Sequence, residues 1–397
     1  MHSPEHDVVV IGAGPAGLLM ASELHRRGLD VALLERRPVA GPGSRAIGVH
    51  PPTLGALEAS GATERILAEA VRIRRGIARS GDRVLGEVRF DRLPLRFPFI
   101  ATLPQASTEA AIAAGAPAPM RGVRATAVED RGRLVMIRSL AGGSETETSA
   151  RFVVVAAGAS GRWLLPASAT ARPHRYRDRY LMADVTDFAA PEDAAVVALD
   201  RGGVLESFPL PHGGRRIVAW DRALAPDGTS AADGNGAADD AERLRRAVEE
   251  RAGGAAPPRH GIERASAFGI HRALAPRMRV GRVFVIGDAA HEVSPIGGQG
   301  MNLGLLDAAT LAPILAERPG DAQEAGLDRW ERARTASART AARLAGLNTA
   351  LGRPRPARSH RILAHAVGAA LAGPLASIAT RAYAMGLDRD AAFRSLP

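Results

Sequence analysis

His6–Arg37 reads HDVVVIGAGPAGLLMASELHRRGLDVALLERR, and the fold follows from how this stretch is parsed. Val8–Ile11 is an unbroken apolar run too short for a helix, the signature of a strand covered on both faces. A glycine turn comes next, then a helical segment, then a second apolar run at Val31–Leu34. Parallel strands need a long crossover, which the helix supplies, so a right-handed beta-alpha-beta unit and a parallel sheet are expected.

Within that unit Gly12, Gly14 and Gly17 form GxGxxG, and Glu35 closes the second strand. The glycines provide a tight turn, close approach of backbone to a pyrophosphate, and close helix packing; the acid accepts from ribose hydroxyls. Free N–H groups at the helix start favour a diphosphate. The motif alone does not choose between FAD and NAD(P).

A second strand-to-helix turn lies far along the chain, where RVFVI is followed by GDAAHEVSPIGGQGMN, residues 287–302. Asp288 at the strand end suits a polyol chain. The turn at Gly297–Gly300 lets backbone lie flat against a ring, and a helix start near Met301 favours negative charge there. This segment has the properties needed to hold the other half of a dinucleotide.

Composition removes several classes of function. The chain has 397 residues, 46% apolar and 24% charged, as in an ordinary soluble globular protein. Its net charge of +10 rests entirely on arginine, since lysine is absent. The arginines are scattered, and Trp and Tyr number three each, so nucleic-acid binding is not expected. With no cysteine there is no disulfide framework, thiolate metal site or thiol redox chemistry. His spacing fits no metal motif, and no metal is expected. No leader is legible ahead of the first strand, so a cytoplasmic location is the default. Ile362–Thr380 approaches bilayer-spanning length, but Pro374 and His365 interrupt it, and a pair of packed helices is expected without stable membrane insertion.

The expected fold class is α/β: a Rossmann-like domain with a parallel sheet, a sheet-rich substrate domain, and C-terminal helices. The first comprises residues 1–72, 105–171 and 271–352; the second 73–104 and 172–270; the helices 353–397. Strands are expected at Arg151–Ala156, Val204–Leu210, Arg216–Trp220 and Val283–Ile286, helices at Thr108–Ala114 and Asp240–Arg251, and a loop at 222–238.

With both motifs in place the chain resembles the FAD-dependent monooxygenases related to para-hydroxybenzoate hydroxylase, over most of its length. The resemblance implies that Asp288, Pro295, Gly298, Gly300, Met301 and Asn302 bind the ribityl chain and cover the isoalloxazine ring. SRAIGVHPPTLGALEASG, residues 44–61, resembles a segment whose arginine touches the cofactor, which carries over to Arg45. LPQASTEAAI, residues 103–112, resembles the segment whose glutamine meets the ribityl chain, which carries over to Gln105. Ala16, Arg36 and Gly158 complete the expected cofactor set. His291 is expected to tie the loop structurally. One departure is that VVVAAGASGRW carries Ala157 where the family usually has an Asp before Gly158, which opens the identity of the electron donor.

The function implied by that resemblance is hydroxylation of an aromatic or polycyclic (polyketide- or quinone-like) small molecule by dioxygen through a flavin C4a-hydroperoxide, with NADPH or NADH as reductant. Nothing in the sequence names a catalytic residue. His50, His212 and Trp220 are candidates for the substrate walls, and a base near the substrate would make a phenol more nucleophilic. A disulfide reductase is excluded by the absence of cysteine, and a halogenase by the absence of lysine. A flavin-dependent reductase of an isoprenoid or quinone, and a flavin-binding protein without turnover, stay open, as do monomer and homodimer.

Overall fold

The computed structural model describes residues 4–41, 46–186, 193–223, 236–253 and 261–386. His6–Ile11 forms the centre of an eight-stranded sheet, flanked in parallel by Ser144–Val155 on one side and Val31–Glu35 on the other. Val283–Val285 adds a further parallel strand beside Ser144–Val155. Val8, Val9 and Val10 are wholly buried, as an apolar run inside a helix-covered parallel sheet must be. The crossover helix, Pro15–Arg26, opens with proline in its first turn, where a missing N–H costs nothing, and buries Leu18, Leu19, Met20 and Leu24.

Ser144–Val155 is longer than the expected Arg151–Ala156 because its first half, SETETS, is polar. That half pairs antiparallel with Val135–Ala141, which pairs in turn with Val123–Asp130. Its exposed residues leave no apolar signal for a strand.

A second eight-stranded sheet combines Arg75–Ser80 and Arg83–Arg89 with four long strands, His174–Val185, Ala194–Asp200, Gly203–Pro209 and Arg215–Ala223, then Ser266–Leu274 and the edge pair His291–Glu292. Neighbours are antiparallel except where Ala194–Asp200 meets Arg75–Ser80. The helix Gly236–Arg251 covers one face, packing Leu244, Ala247 and Val248 against Leu181, Leu205 and Ile217. With a side-chain period of two, Val204, Glu206 and Val218 therefore belong to the opposite face. Most of the expected 222–238 loop lies outside the described residues. Ile100–Thr102 stays out of this sheet and joins Gly48–Val49 and Val71–Ile73 in a small one.

Helix Gly300–Leu315 crosses the first helix closely: a Cβ at Gly304 would sit 2.9 Å from Gly287 Cα and 3.2 Å from Ala16 Cβ. A long helix, Asp321–Leu351, follows, and then Ala357–Ala372 and Leu375–Tyr383, bent by 94° at their break. Among the described residues no single helix is long and apolar enough to cross a membrane. The terminal helices lie on the Arg83–Arg89 strand, where a Cβ on Gly86 would meet Leu371 Cβ at 2.4 Å.

Candidate active site

A cavity of about 780 Å³ opens where the two large sheets and the C-terminal helices meet. At one end it is lined by Gly12, Gly14, Ala16, Glu35 and Arg36, and further along by Gln105, Gly158 and Asp288. Pro295, Gly298, Gly300 and Met301 form the next stretch of wall, and Val197, Glu206, Phe208 and Val218 of the second sheet close the far side. Residues from both sequence motifs, distant in the chain, thus share one space.

The glycine turn divides its labour by position. A Cβ on Gly12 would meet Ala156 O at 2.6 Å, and one on Gly17 would meet Gly12 O at 1.8 Å, so both serve backbone packing. Gly17 accordingly does not line the cavity. Gly14 faces open space, with nothing within 4 Å of such a Cβ, and no side chain caps the helix that begins beside it. An anion brought against this turn meets bare backbone and the positive end of a helix.

Glu35 is buried and accepts from Ala13 N at 2.8 Å, Arg37 N at 2.9 Å and Arg37 Nε at 3.0 Å. Burial pushes its pKa up, but the hydrogen bonds from Arg37 and Ala13 outweigh that and hold it below the usual carboxylate value. A carboxylate has about four acceptor positions, so one remains for a sugar hydroxyl on the cavity side. Arg36 donates to Ser160 Oγ at 3.0 Å across the cavity rim, and Gln105 Nε2 donates to Glu109 Oε1 at 2.7 Å.

The loop around Gly298 is clasped from behind. Asn302, fully buried, accepts from His50 N at 2.9 Å and donates from Nδ2 to Gly48 O at 2.8 Å and Gly298 O at 3.1 Å. Its side chain is engaged in this clasp, and Asn302 does not line the cavity. Below the Asp288 turn, buried Asp307 accepts from Gly287 N at 3.1 Å, from His291 Nε2, and from Arg334 Nε at 2.8 Å. Burial works against the Asp307 charge, but its interactions with His291 and Arg334 prevail and its pKa is lowered. His291 therefore ties the loop from inside the protein, through partners that no short motif announces.

His50 does line the cavity and is almost wholly buried. Burial lowers its pKa to about 4, against a smaller upward pull from the backbone at Tyr383 and Gly298, so the ring is neutral at physiological pH. The other two proposed wall residues are elsewhere. His212 sits at a left-handed turn, φ 59°, beside a separate depression with Glu69 and Asp184. Trp220 donates from Nε1 to Asp178 Oδ1 at 3.1 Å, packs against Gly203 and does not line the cavity. Arg45 lies outside the described residues.

Several lining residues went unnoticed in the sequence. Arg37 and Ser160 stand beside expected positions, whereas Tyr383 and Asn348 come from helices with no motif at all. Glu206 had a signal available: in the strand VLESFP it is the one acid on the Val204, Glu206, Phe208 face, whose other members are apolar. Ala157 also lines the cavity, and its Cβ would lie 2.3 Å from one added at Gly161.

A family described as an FAD binding domain matches residues 5–345. The chain belongs to this FAD-binding family. A rifampicin monooxygenase from Streptomyces venezuelae is 32% identical over 342 residues, covering 82% of this chain and 67% of the relative. A 6-methylpretetramide 4-monooxygenase from Streptomyces rimosus is 32% identical over 413 residues, covering 93% and 70%. The chain thus spans about two thirds of the length of these curated relatives. Among solved structures, p-nitrophenol 4-monooxygenase from Pseudomonas putida superposes with a TM-score of 0.82 at 22% identity, covering 98% of both chains, which establishes the fold. The anhydrotetracycline hydroxylase of Streptomyces rimosus gives 0.73 at 26% identity over 96% of this chain and 76% of that one. FAD is the cofactor of this family, and the bare turn at Gly14 with the spare acceptor on Glu35 fits its adenosine diphosphate half.

Proposed function

We propose that this FAD-binding family member is a monooxygenase that hydroxylates an aromatic or polycyclic small molecule, with NADH or NADPH as reductant and dioxygen as co-substrate. The observation that carries the reading is that one cavity runs from the dinucleotide turn to an apolar sheet wall. When bound, FAD supplies the redox chemistry that delivers one oxygen atom to the substrate. In this reading the first helix and Gly14 take the diphosphate, Glu35 the ribose, Gln105 and Asp288 the ribityl chain, and Gly298–Met301 the ring. The helix start at Gly300 favours negative charge on the ring edge nearest to it.

The protein's remaining task is to hold the substrate and exclude water, which would divert the reaction to hydrogen peroxide. Val197, Phe208 and Val218 are suited to this. Relatives named for rifampicin and for tetracycline precursors support a polycyclic substrate. A reductase without oxygen transfer and an inert flavin carrier draw no comparable support. Consumption of NADH or NADPH fits a cytoplasmic enzyme.

The test is to purify the protein, quantify bound FAD, and follow NADH and NADPH oxidation with oxygen uptake across phenols and hydroxylated polycycles. A product carrying one added oxygen atom is the expected result. Substrate-independent oxidation with every donor, chemically reduced flavin included, would overturn the reading. Ala157→Asp tests the donor: a changed NADH to NADPH preference would assign that position to donor handling.

A further inference from the structure

The second sheet presents to the cavity a carboxyl group, that of Glu206, which no described residue pairs. Glu206 is 7% exposed and forms no hydrogen bond or ion pair among the described residues. It lies mid-sheet, opposite Val197 on one neighbouring strand and Val218 on the other, with Val204 and Phe208 two residues to either side on its own. All of them line the same cavity as the glycine turn and the Gly298 loop. Other buried carboxylates among the described residues have cationic or hydrogen-bonding partners: Glu35 has Arg37 and backbone, Asp307 has His291 and Arg334. A lone buried carboxyl on an otherwise apolar wall costs stability, and calls for a partner that the described residues do not provide.

We propose that Glu206 is the substrate-facing base, taking the proton from an acidic phenol or enol whose ring lies against the second sheet. This deepens the hydroxylase reading and rests on it. The substrate O–H bond breaks, the proton forms a new O–H bond on the Glu206 carboxylate, and the electron pair stays on the substrate oxygen. The negative charge is transferred, not created, so the buried site carries one charge before and after. The phenolate gains electron density at its ortho and para carbons, which an electrophilic oxygen attacks.

The surroundings narrow the substrate class. Burial raises the Glu206 pKa to about 7. An ordinary phenol, with a pKa of about 10, yields its proton to such a base only partly. A hydroxyl conjugated to a ring carbonyl is more acidic and is better matched, as in a hydroxylated aryl ketone or anthraquinone. The charged and titratable groups around Glu206 leave this role to it. The Tyr180 and Tyr383 hydroxyls have raised pKa values, to about 12 for Tyr383, chiefly by burial. Arg216, on the neighbouring strand opposite Phe208, is held by both carboxylate oxygens of Asp184 at 2.6 and 2.7 Å, and His50 is neutral.

The test uses FAD-loaded protein and 4-hydroxyacetophenone, whose phenolate absorbs at longer wavelength than its neutral form. At pH 7.5 the wild type is expected to bind it with a phenolate band exceeding that of free ligand at the same pH. Glu206→Gln should bind it neutral, and Glu206→Leu should do the same while leaving no unpaired polar side chain at that position. With reduced flavin and oxygen, both variants are expected to lose about 100-fold in hydroxylation rate, the scale of a single general base, while keeping FAD content. A wild type without the phenolate band, whether the ligand stays neutral or fails to bind, overturns the proposal, as does an undiminished band in both variants. A phenolate band lost in the variants but no oxygen transfer in the wild type would leave Glu206 in place and sink the hydroxylase reading alone.

Discussion

Two buried side chains in the cavity wall give the folded protein opposite responses to pH. Glu206 has a folded-state pKa raised from 4.5 to about 7, so its contribution is intact below pH 4.5 and is lost as pH rises through about 7. The loss amounts to roughly 3 kcal/mol. Glu206→Gln cannot titrate, so its urea midpoint relative to wild type should rise between pH 5 and pH 8; a constant offset would show that the carboxyl is solvated. His50 is depressed from 6.5 to about 4, so its contribution is present above pH 6.5 and is lost as pH falls through about 4, again by roughly 3 kcal/mol. His50→Gln should flatten that acid limb in the same urea titrations. At this scale the sequence was only partly legible. Gly14 and Glu35 could be read because backbone approach and ribose recognition demand those residue types at fixed spacing. Glu206 is legible as the one acid on its face, but assigning it requires knowing which face of its strand meets the cavity; His212 and Trp220 lie off the cavity lining, and ring character says nothing about position along the chain's path.

Elements carry the site through contacts that are tighter than the motifs imply. The Asp288 turn stands on the Asp307, His291 and Arg334 cluster, whose members come from the turn itself and two later helices. Asp307→Asn leaves buried Arg334 without its counter-charge, which should cost about 3–5 kcal/mol by urea denaturation. Two glycine substitutions should separate binding from packing. Gly14→Ala adds a methyl into open space, so the flavin-free urea midpoint should stay within error while FAD affinity falls at least ~10-fold, because the diphosphate approach is blocked. Gly304→Ala puts a methyl against Gly287 backbone, and overpacking of about 1–3 kcal/mol should exceed the ~1 kcal/mol helix gain of alanine over glycine. Strands and helices with apolar runs were legible as elements. The polar half of Ser144–Val155 was not, because pairing in an exposed hairpin leaves no hydrophobic pattern.

At the scale of the molecule, the cavity exists because the C-terminal helices close over the second sheet while the first sheet supplies the opposite end. The two-sheet plan could be read from the switch between helix-linked and helix-free strands, but the closure could not. It depends on Gly86, in a strand, meeting Leu371, far along the chain, a contact with no local signature. Val367 and Leu371 line the cavity, so in the proposed reading the seal between helix and strand also keeps water from the substrate. A methyl at Gly86 would lie 2.4 Å from Leu371 Cβ, and the helix must retreat to roughly the 3.5–4 Å of ordinary carbon contact. Gly86→Ala should therefore admit water at the substrate end while leaving the Gly14 and Glu35 end untouched. The expected result is unchanged FAD affinity, a lower ratio of hydroxylated product to hydrogen peroxide, and faster amide exchange in Ala357–Ala372. Because the clash is with Cβ itself, Leu371→Gly should restore the ratio in the double variant even though glycine weakens the helix. If Gly86→Ala alone left the ratio and the exchange unchanged, the terminal helices would not be what keeps water from the substrate.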